Sequence, residues 1–404
     1  MKIDFIEARE ILTSKGNPTV EVCLVTDKGR FIASAPSGVS TGDYEAVEIP
    51  AHEAVKKIVE IESLLKGRDF SGQEEFDGFL IKQDGTGNKS SLGANAMLAL
   101  SIAFARAAAF ESNQELFDYL SREIFSSPAV ANKMPVPAML CLEGGRHGKG
   151  KASIQEFIVV PQKNSFEKNF AAGRMIFNAL KSILEKDLGK DAFEAGVEGA
   201  FALKNLNSEE ALSFLNRAID ESGNKGAKIY LDIAASEFFQ NQIYFFDGRE
   251  IEAAGLADFY DEITGRYPVS FIEDLFSQDD AANWHNFKAK TENQGLKVIG
   301  DDLTVTNSQR IRYAQENGLC NGVIIKPNQI GTVWETLQAV ALAKEFGWKI
   351  IVSHRAGETE DSFIADLAVA VAADFIKAGG LSQSVRMAKY NRLLEIEKSL
   401  LSPS

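Results

Sequence analysis

Six short apolar runs in the later part of this 404-residue chain end on an ionisable residue: Asp232, Glu273, Asp301, Lys326, His354 and Lys377. Asp232, Glu273 and Asp301 close three successive runs. Carboxylates gathered at one place repel one another and require a cation. All-oxygen donors suit Mg²⁺, whereas zinc calls for His or Cys. Any one of the three is better explained as a helix cap or the partner of a nearby Arg; three at neighbouring strand ends are not. A lysine beside a metal and among other cations has its pKa lowered, so Lys326 or Lys377 can serve as a base near neutral pH. Each interrupts apolar sequence ("GVIIKPNQIG" and "ADFIKAGG"), a setting that a solvated surface charge explains poorly.

Shorter stretches add to this set. "GGRHGKGKASIQEF" supplies His147, Gln155 and Glu156. "EAGVEGAFAL" supplies Glu198, placed on a loop by its two glycines and, taken alone, read as solvated. "APSGVSTGDY" sets Ser40 and Thr41 between Gly38 and Gly42. That composition is shared by mobile lids whose hydroxyl meets a ligand and by plain surface loops. His354, one of four histidines, is followed at once by Arg355. The chain has no Ser-His or Cys-His nucleophile arrangement and no Walker P-loop, so phosphate handling falls to His354, Arg355 and a metal. The set suits proton abstraction α to a carboxylate, with metal ions absorbing the charge of the ene-diolate and a Glu acid assisting a leaving group.

These groups can act together only if the runs end at one place. Beyond residue 130, "EFIVVP", "KIYLDI", "VSFIED", "LKVIGDD", "NGVIIK", "WKIIVSH" and "ADFIK" alternate with helical stretches. The ionisable ends lie 23 to 41 residues apart, room for one helix and two loops. Serial units of that size predict a parallel βα barrel whose strand ends converge on one mouth. An open doubly wound sheet, the alternative, would spread the six groups along an edge. Earlier in the chain, "TVEVCLVTD" and "RFIASAP" read as a hairpin. Helical patterns follow over "YEAVEIPAHEAVKKIVEIESLL" and "SSLGANAMLALSIAFARAAAF", the second apolar around most of its circumference and so buried. Sheet first and helices second predicts an N-terminal α+β domain over residues 1–130. The proline-containing stretch "FSSPAVANKMPVP" joins it to a barrel domain over residues 131–404.

With 45% apolar and 25% charged residues, the chain reads as an ordinary globular protein. A net charge of −14 repels nucleic acid and anionic membranes, yet admits an anionic small substrate where cations are local. Cys23, Cys141 and Cys320 are far apart and read as reduced thiols. No signal-like N-terminal run and no apolar stretch of membrane-spanning length is visible, so a cytoplasmic location is expected.

The motifs "SKGNPTVEV", "PSGVSTG", "DGTGNKSSLGANA", "LDIAASEF", "GDDLTVTN", "KPNQIGT" and "SHRAGETEDSFIADLAV" follow one another along nearly the whole chain. In that order they resemble the signatures of the enolase family. The resemblance implies an α/β fold: an N-terminal α+β domain and a TIM-like βα barrel with atypical first units that are not regularly parallel. It also implies a glycolytic lyase dehydrating 2-phosphoglycerate to phosphoenolpyruvate with two Mg²⁺ per active site, the second arriving with substrate. On that resemblance Asp232, Glu273 and Asp301 hold the first Mg²⁺, and Ser40 in the lid joins the second. Lys326 takes the proton from C2, and Glu198, partnered by Glu156, assists departure of the C3 hydroxyl. Lys377 faces the substrate carboxylate. His147, Gln155, His354 and Arg355 contact substrate, with Arg355 as the phosphate clamp. The implied partners are a small phosphorylated carboxylic acid and further copies of the chain in a dimer or higher oligomer.

The chain departs from the family pattern at several places. Ala356 stands where the family has a serine, Val197 and Ala200 flank Glu198 in place of Asp and Gly, and Glu143 and Arg146 bring new charges to the turn carrying His147. Glu395 replaces an arginine used in dimer contacts. Two readings follow: the family's own reaction retained, or a related dehydration of a 2-phosphoglycerate or phosphonate analogue with a different group at C2. A paralogue that binds without turnover is a third, disfavoured because binding needs neither Lys326 nor Glu198.

Overall fold

The computed structural model describes residues 1–38, 42–124, 133–148 and 150–401. Ser40 and most of the "FSSPAVANKMPVP" join lie outside the described residues.

Strands Phe5–Leu12, Pro18–Thr26 and Gly29–Ser34 form an antiparallel meander. The predicted hairpin is its second half, turning at Asp27 and Lys28; the first strand was not anticipated. Val20, Val22 and Leu24 alternate along the middle strand and are fully buried, the period of a sheet with one covered face. The covering element is helix Ala94–Glu111, long and apolar enough by composition to cross a membrane but 83% buried in the fold. Helices Gln73–Asp84 and Leu116–Ile124, also not anticipated, pack on it.

The helix expected from Tyr44 begins instead at Ala51. Pro50 occupies its cap with φ −51°. A proline ring cannot continue an upstream helix, and it holds the preceding residue extended. Residues 44–49 therefore form a strap laid against the barrel: Ala46 N–H donates to the Gln329 carbonyl at 2.8 Å, and Val47 N–H to the Asn88 carbonyl at 2.8 Å.

Eight strands close the barrel: Val136–Glu143, Glu156–Val160, Lys228–Asp232, Val269–Glu273, Lys297–Gly300, Gly322–Ile325, Lys349–Ser353 and Phe375–Lys377. The last pairs with the first, Phe375 opposite Val136, so the sheet is closed and not open. Its first strand was missing from the sequence reading. Neighbours run parallel except Glu156–Val160, which is antiparallel to both strands beside it. This is the irregularity of the first units that the family resemblance implied. It also explains how Glu156, the first residue of its strand, reaches the same mouth as residues ending theirs.

Candidate active site

Strand register sets four acids side by side. Glu143 lies opposite Glu156, Glu156 opposite Asp232, and Asp232 opposite Glu273. Like charges directly opposite across strands destabilise a sheet. The relief comes from the closing strand. Lys377 Nζ lies 2.8 Å from Glu156 Oε2, 2.9 Å from Glu273 Oε2 and 3.6 Å from Asp232 Oδ2. Burial alone would depress this lysine, but Glu156, Glu273 and Asp232 outweigh it and hold it well above the usual range.

Above this belt opens a narrow, polar cleft. Its lining includes the predicted Asp232, Asp301, Lys326, Lys377, His147, Gln155, Glu156, Glu198, His354 and Arg355. Glu273 departs from expectation: it is fully buried and absent from the cleft wall. Both its oxygens are engaged, by Lys377 and by the hydroxyl of Tyr230, which donates to Oε2. Tyr230 lies two residues before Asp232 on the same strand and hence on the same face; its sequence neighbourhood reads only as an apolar run. Glu198, open to either reading on sequence alone, is 3% exposed and faces the cleft.

Lys326 follows its strand directly, and its ammonium pairs with Asp301 Oδ2, while Asp301 Oδ1 accepts from Gln329 Nε2 at 2.9 Å. The sequence predicts a lowered pKa for a lysine beside a metal. Burial pulls the lysine down, but the touching Asp301 carboxylate prevails and holds it above the usual lysine range. The opposite sign rested on a cation sharing Asp301.

His147 sits between two acids, Nδ1 3.8 Å from Glu156 Oε1 and Nε2 3.8 Å from Glu198 Oε1. Among the described residues neither ring nitrogen has a hydrogen-bond partner, and the side chain is buried. His354 Nε2 lies 3.3 Å from Glu198 Oε2, while the guanidinium of Arg386 meets Nδ1. Arginine can only donate, so Nδ1 is the acceptor and the proton resides on Nε2, directed at Glu198. Burial pushes His354 down to about 4, leaving the ring neutral near pH 7.

Arg355 is clamped from the N-terminal domain. Its Nη1 donates to Glu45 Oε2 at 2.8 Å and to Asn328 Oδ1 at 3.1 Å. A Cβ on Gly38 would stand 2.0 Å from its Nη2, so the chain before the lid lies directly on the guanidinium. Glu45 belongs to the strap that the sequence reading made helical, which is why it was missed. Ala356 is 6% exposed and lines the same cleft. Arg146, one of the new charges on the turn carrying His147, is paired with Glu237 and is largely exposed.

Asp232, Asp301 and Asp302 open on the cleft together with Glu156 and Glu198. Burial, followed by the charge of Asp301, pushes Asp302 up to about 7. Ligand oxygens of Asp274, Asp301 and Asp302 lie within 4.8 Å of one another. A buried, mutually repelling set of oxygen donors fits a hard divalent cation such as Mg²⁺.

The family model described as enolase, N-terminal domain, matches residues 3–120, and that described as enolase, C-terminal TIM barrel domain, matches residues 131–404.

Proposed function

The chain belongs to the enolase family, and from that premise we propose that it dehydrates 2-phosphoglycerate to phosphoenolpyruvate. The carrying observation is that a lysine and a buried glutamic acid, Lys326 and Glu198, line one cleft whose other groups suit a phosphorylated carboxylate. Lys326 Nζ accepts the C2 proton, which it can do only once Asp301 no longer holds its own proton in place. Glu198, which burial would raise but His147 and His354 hold well below the usual carboxylate range in the open cleft, must first take up a proton, and then delivers it to the C3 hydroxyl, which leaves as water. His354, neutral and donating through Nε2, fixes the orientation of the Glu198 carboxylate. Lys377 meets the substrate carboxylate, Arg355 the phosphate, and His147 and Gln155 complete the walls. Asp232 and Asp301 would hold Mg²⁺, with Glu273 joining them once Lys377 and Tyr230 release its oxygens; the ion when bound supplies positive charge to the substrate carboxylate as negative charge builds there. Ser40 would join a second ion arriving with substrate.

The test is a Mg²⁺-dependent rise in ultraviolet absorbance on adding 2-phosphoglycerate to the purified chain. Turnover at ordinary enzymatic rates supports the assignment; well-folded, Mg²⁺-loaded protein without turnover overturns it. A second reading, dehydration of an analogue with a different C2 group, is favoured by Ala356, whose methyl lines the cleft where the family has a hydroxyl.

A further inference from the structure

Glu143 ends the first barrel strand, immediately before the Gly144–Gly145 turn that carries His147. Its side chain is 1% exposed. Its Oε1 accepts the backbone N–H groups of Glu198 at 3.0 Å and Ala200 at 2.9 Å, and its Oε2 also takes the Glu198 N–H at 3.0 Å. The loop it grips is closed on itself by Gly196 N–H donating to the Ala200 carbonyl at 2.9 Å. A Cβ at Gly196 would lie 2.3 Å from Glu143 Oε1, so only glycine lets the loop pass this close to the carboxylate. On the other side, Gly380 N–H donates to the Glu198 carbonyl at 2.9 Å. The backbone of Glu198 is thus held at both its N–H and its C=O.

We propose that Glu143 is a positioning residue for Glu198: its buried carboxylate, receiving two loop amides, sets where the Glu198 side chain stands against His147 and His354. The inference rests on the reading of Glu198 as the acid. Two features separate this role from general packing. First, the anchored amide belongs to Glu198 itself, so any slack passes to a side chain 3.3 Å from His354 Nε2 and 3.8 Å from His147 Nε2. Second, the same residue begins the turn bearing His147, so one carboxylate ties together both walls of the acid's surroundings. Oε1 alone receives both amides, so the loop needs an acceptor at that point. A glutamine can keep its oxygen there and hold both N–H groups, whereas an alanine removes the acceptor.

The experiment uses the full chain with Glu143→Gln and Glu143→Ala, measuring hydrogen exchange of peptides covering 193–203 alongside kinetics with 2-phosphoglycerate. Exchange at Glu198–Ala200 is expected to rise at least ~10-fold in Glu143→Ala, with helix Phe363–Ala370 unchanged. In Glu143→Ala, kcat is expected to fall at least ~10-fold with KM within ~3-fold, since the acid is displaced while the substrate's charged ends keep their partners, and Glu143→Gln, which keeps the acceptor, is expected to recover most of that loss. Unchanged kcat in Glu143→Ala overturns the proposal. So does faster exchange across the whole barrel with kcat and KM moving together, the mark of a merely structural residue. If wild-type protein fails to turn over 2-phosphoglycerate, the enolase reading falls, and the exchange arm is still read. Loop-confined loss of protection then sustains the positioning role, and unchanged protection overturns it.

Discussion

Asp77 offers a pH-dependence that can be worked out from the structure. It lies in helix Gln73–Asp84 with no exposed surface, at the junction of the two domains. Its Oδ2 accepts from Gln73 Nε2 at 3.0 Å and from the backbone N–H of Trp334, in a barrel helix, at 2.8 Å. Among the described residues its Oδ1 has no hydrogen-bond partner, and neither has Gln73 Oε1. Burial raises the carboxyl from 3.8 to about 7. For an acid whose pKa is raised on folding, the folded state binds its proton more tightly than the unfolded chain does. Stability is therefore fullest below the unfolded value and is lost as pH climbs from 3.8 towards 7, after which it is flat. Three units at ~1.4 kcal/mol each give ~4 kcal/mol, of which ~3 kcal/mol falls between pH 5 and 8. Asp77→Asn removes the titration and keeps an oxygen for Trp334 and for Gln73 Nε2. Urea unfolding of both proteins at pH 5 and pH 8 isolates Asp77 from Glu143 and Asp302, which burial also pushes up to about 7. The variant is expected to gain on wild type by ~3 kcal/mol over that interval. A gap between the two proteins that stays constant with pH would refute a buried, proton-holding Asp77.

Other outcomes follow from the same physical reasoning. Lys326→Ala should reduce turnover of 2-phosphoglycerate to background and, by leaving the buried Asp301 carboxylate without its ammonium, lower the unfolding midpoint; an appreciable residual rate in folded protein would remove Lys326 as the base. Ala356→Ser restores a hydroxyl at the cleft wall, and a hydrogen bond to an ionised phosphate is worth ~1.5–3 kcal/mol. A KM for 2-phosphoglycerate lower by ~10-fold or more is expected; no gain, or a loss, would favour a pocket shaped for another C2 group. Asp361→Asn should destabilise the chain by ~3–5 kcal/mol in urea. Arg106 meets both carboxylate oxygens at 2.7 Å from the N-terminal domain, and Phe363 N–H adds 2.8 Å. A cost under ~1 kcal/mol would show that this clamp between domains contributes little.

The barrel was legible because its runs end on ionisable residues at intervals that fit βα units, and a closed sheet is the arrangement that gathers such ends. Strand direction was legible only through the family resemblance, since reversing Glu156–Val160 leaves no trace in composition. The first barrel strand was hidden by the prolines before it, which read as a linker. The strap over residues 44–49 was hidden by a helical apolar pattern continuing through Pro50, and with it went Glu45, the partner of Arg355. The candidate site was legible as an inventory but not as a charge balance. Sequence spacing cannot show that Lys377 serves three acids, that Tyr230 and Lys377 draw Glu273 out of the cleft, or that Asp301 raises Lys326.

The row of acids in register also bears on the order in which the chain can fold. Residues 143, 156, 232 and 273 are all made before residue 377, so on the ribosome the growing sheet carries its repulsion without the lysine that contacts three of them. The strand that brings Lys377 is also the one that pairs with Val136 to complete the cylinder. Closure of the sheet and neutralisation of its mouth are therefore one event, delayed until the final strand leaves the exit tunnel. A nascent chain stopped short of Phe375 would hold an acidic, open-edged sheet with no reason to stay shut.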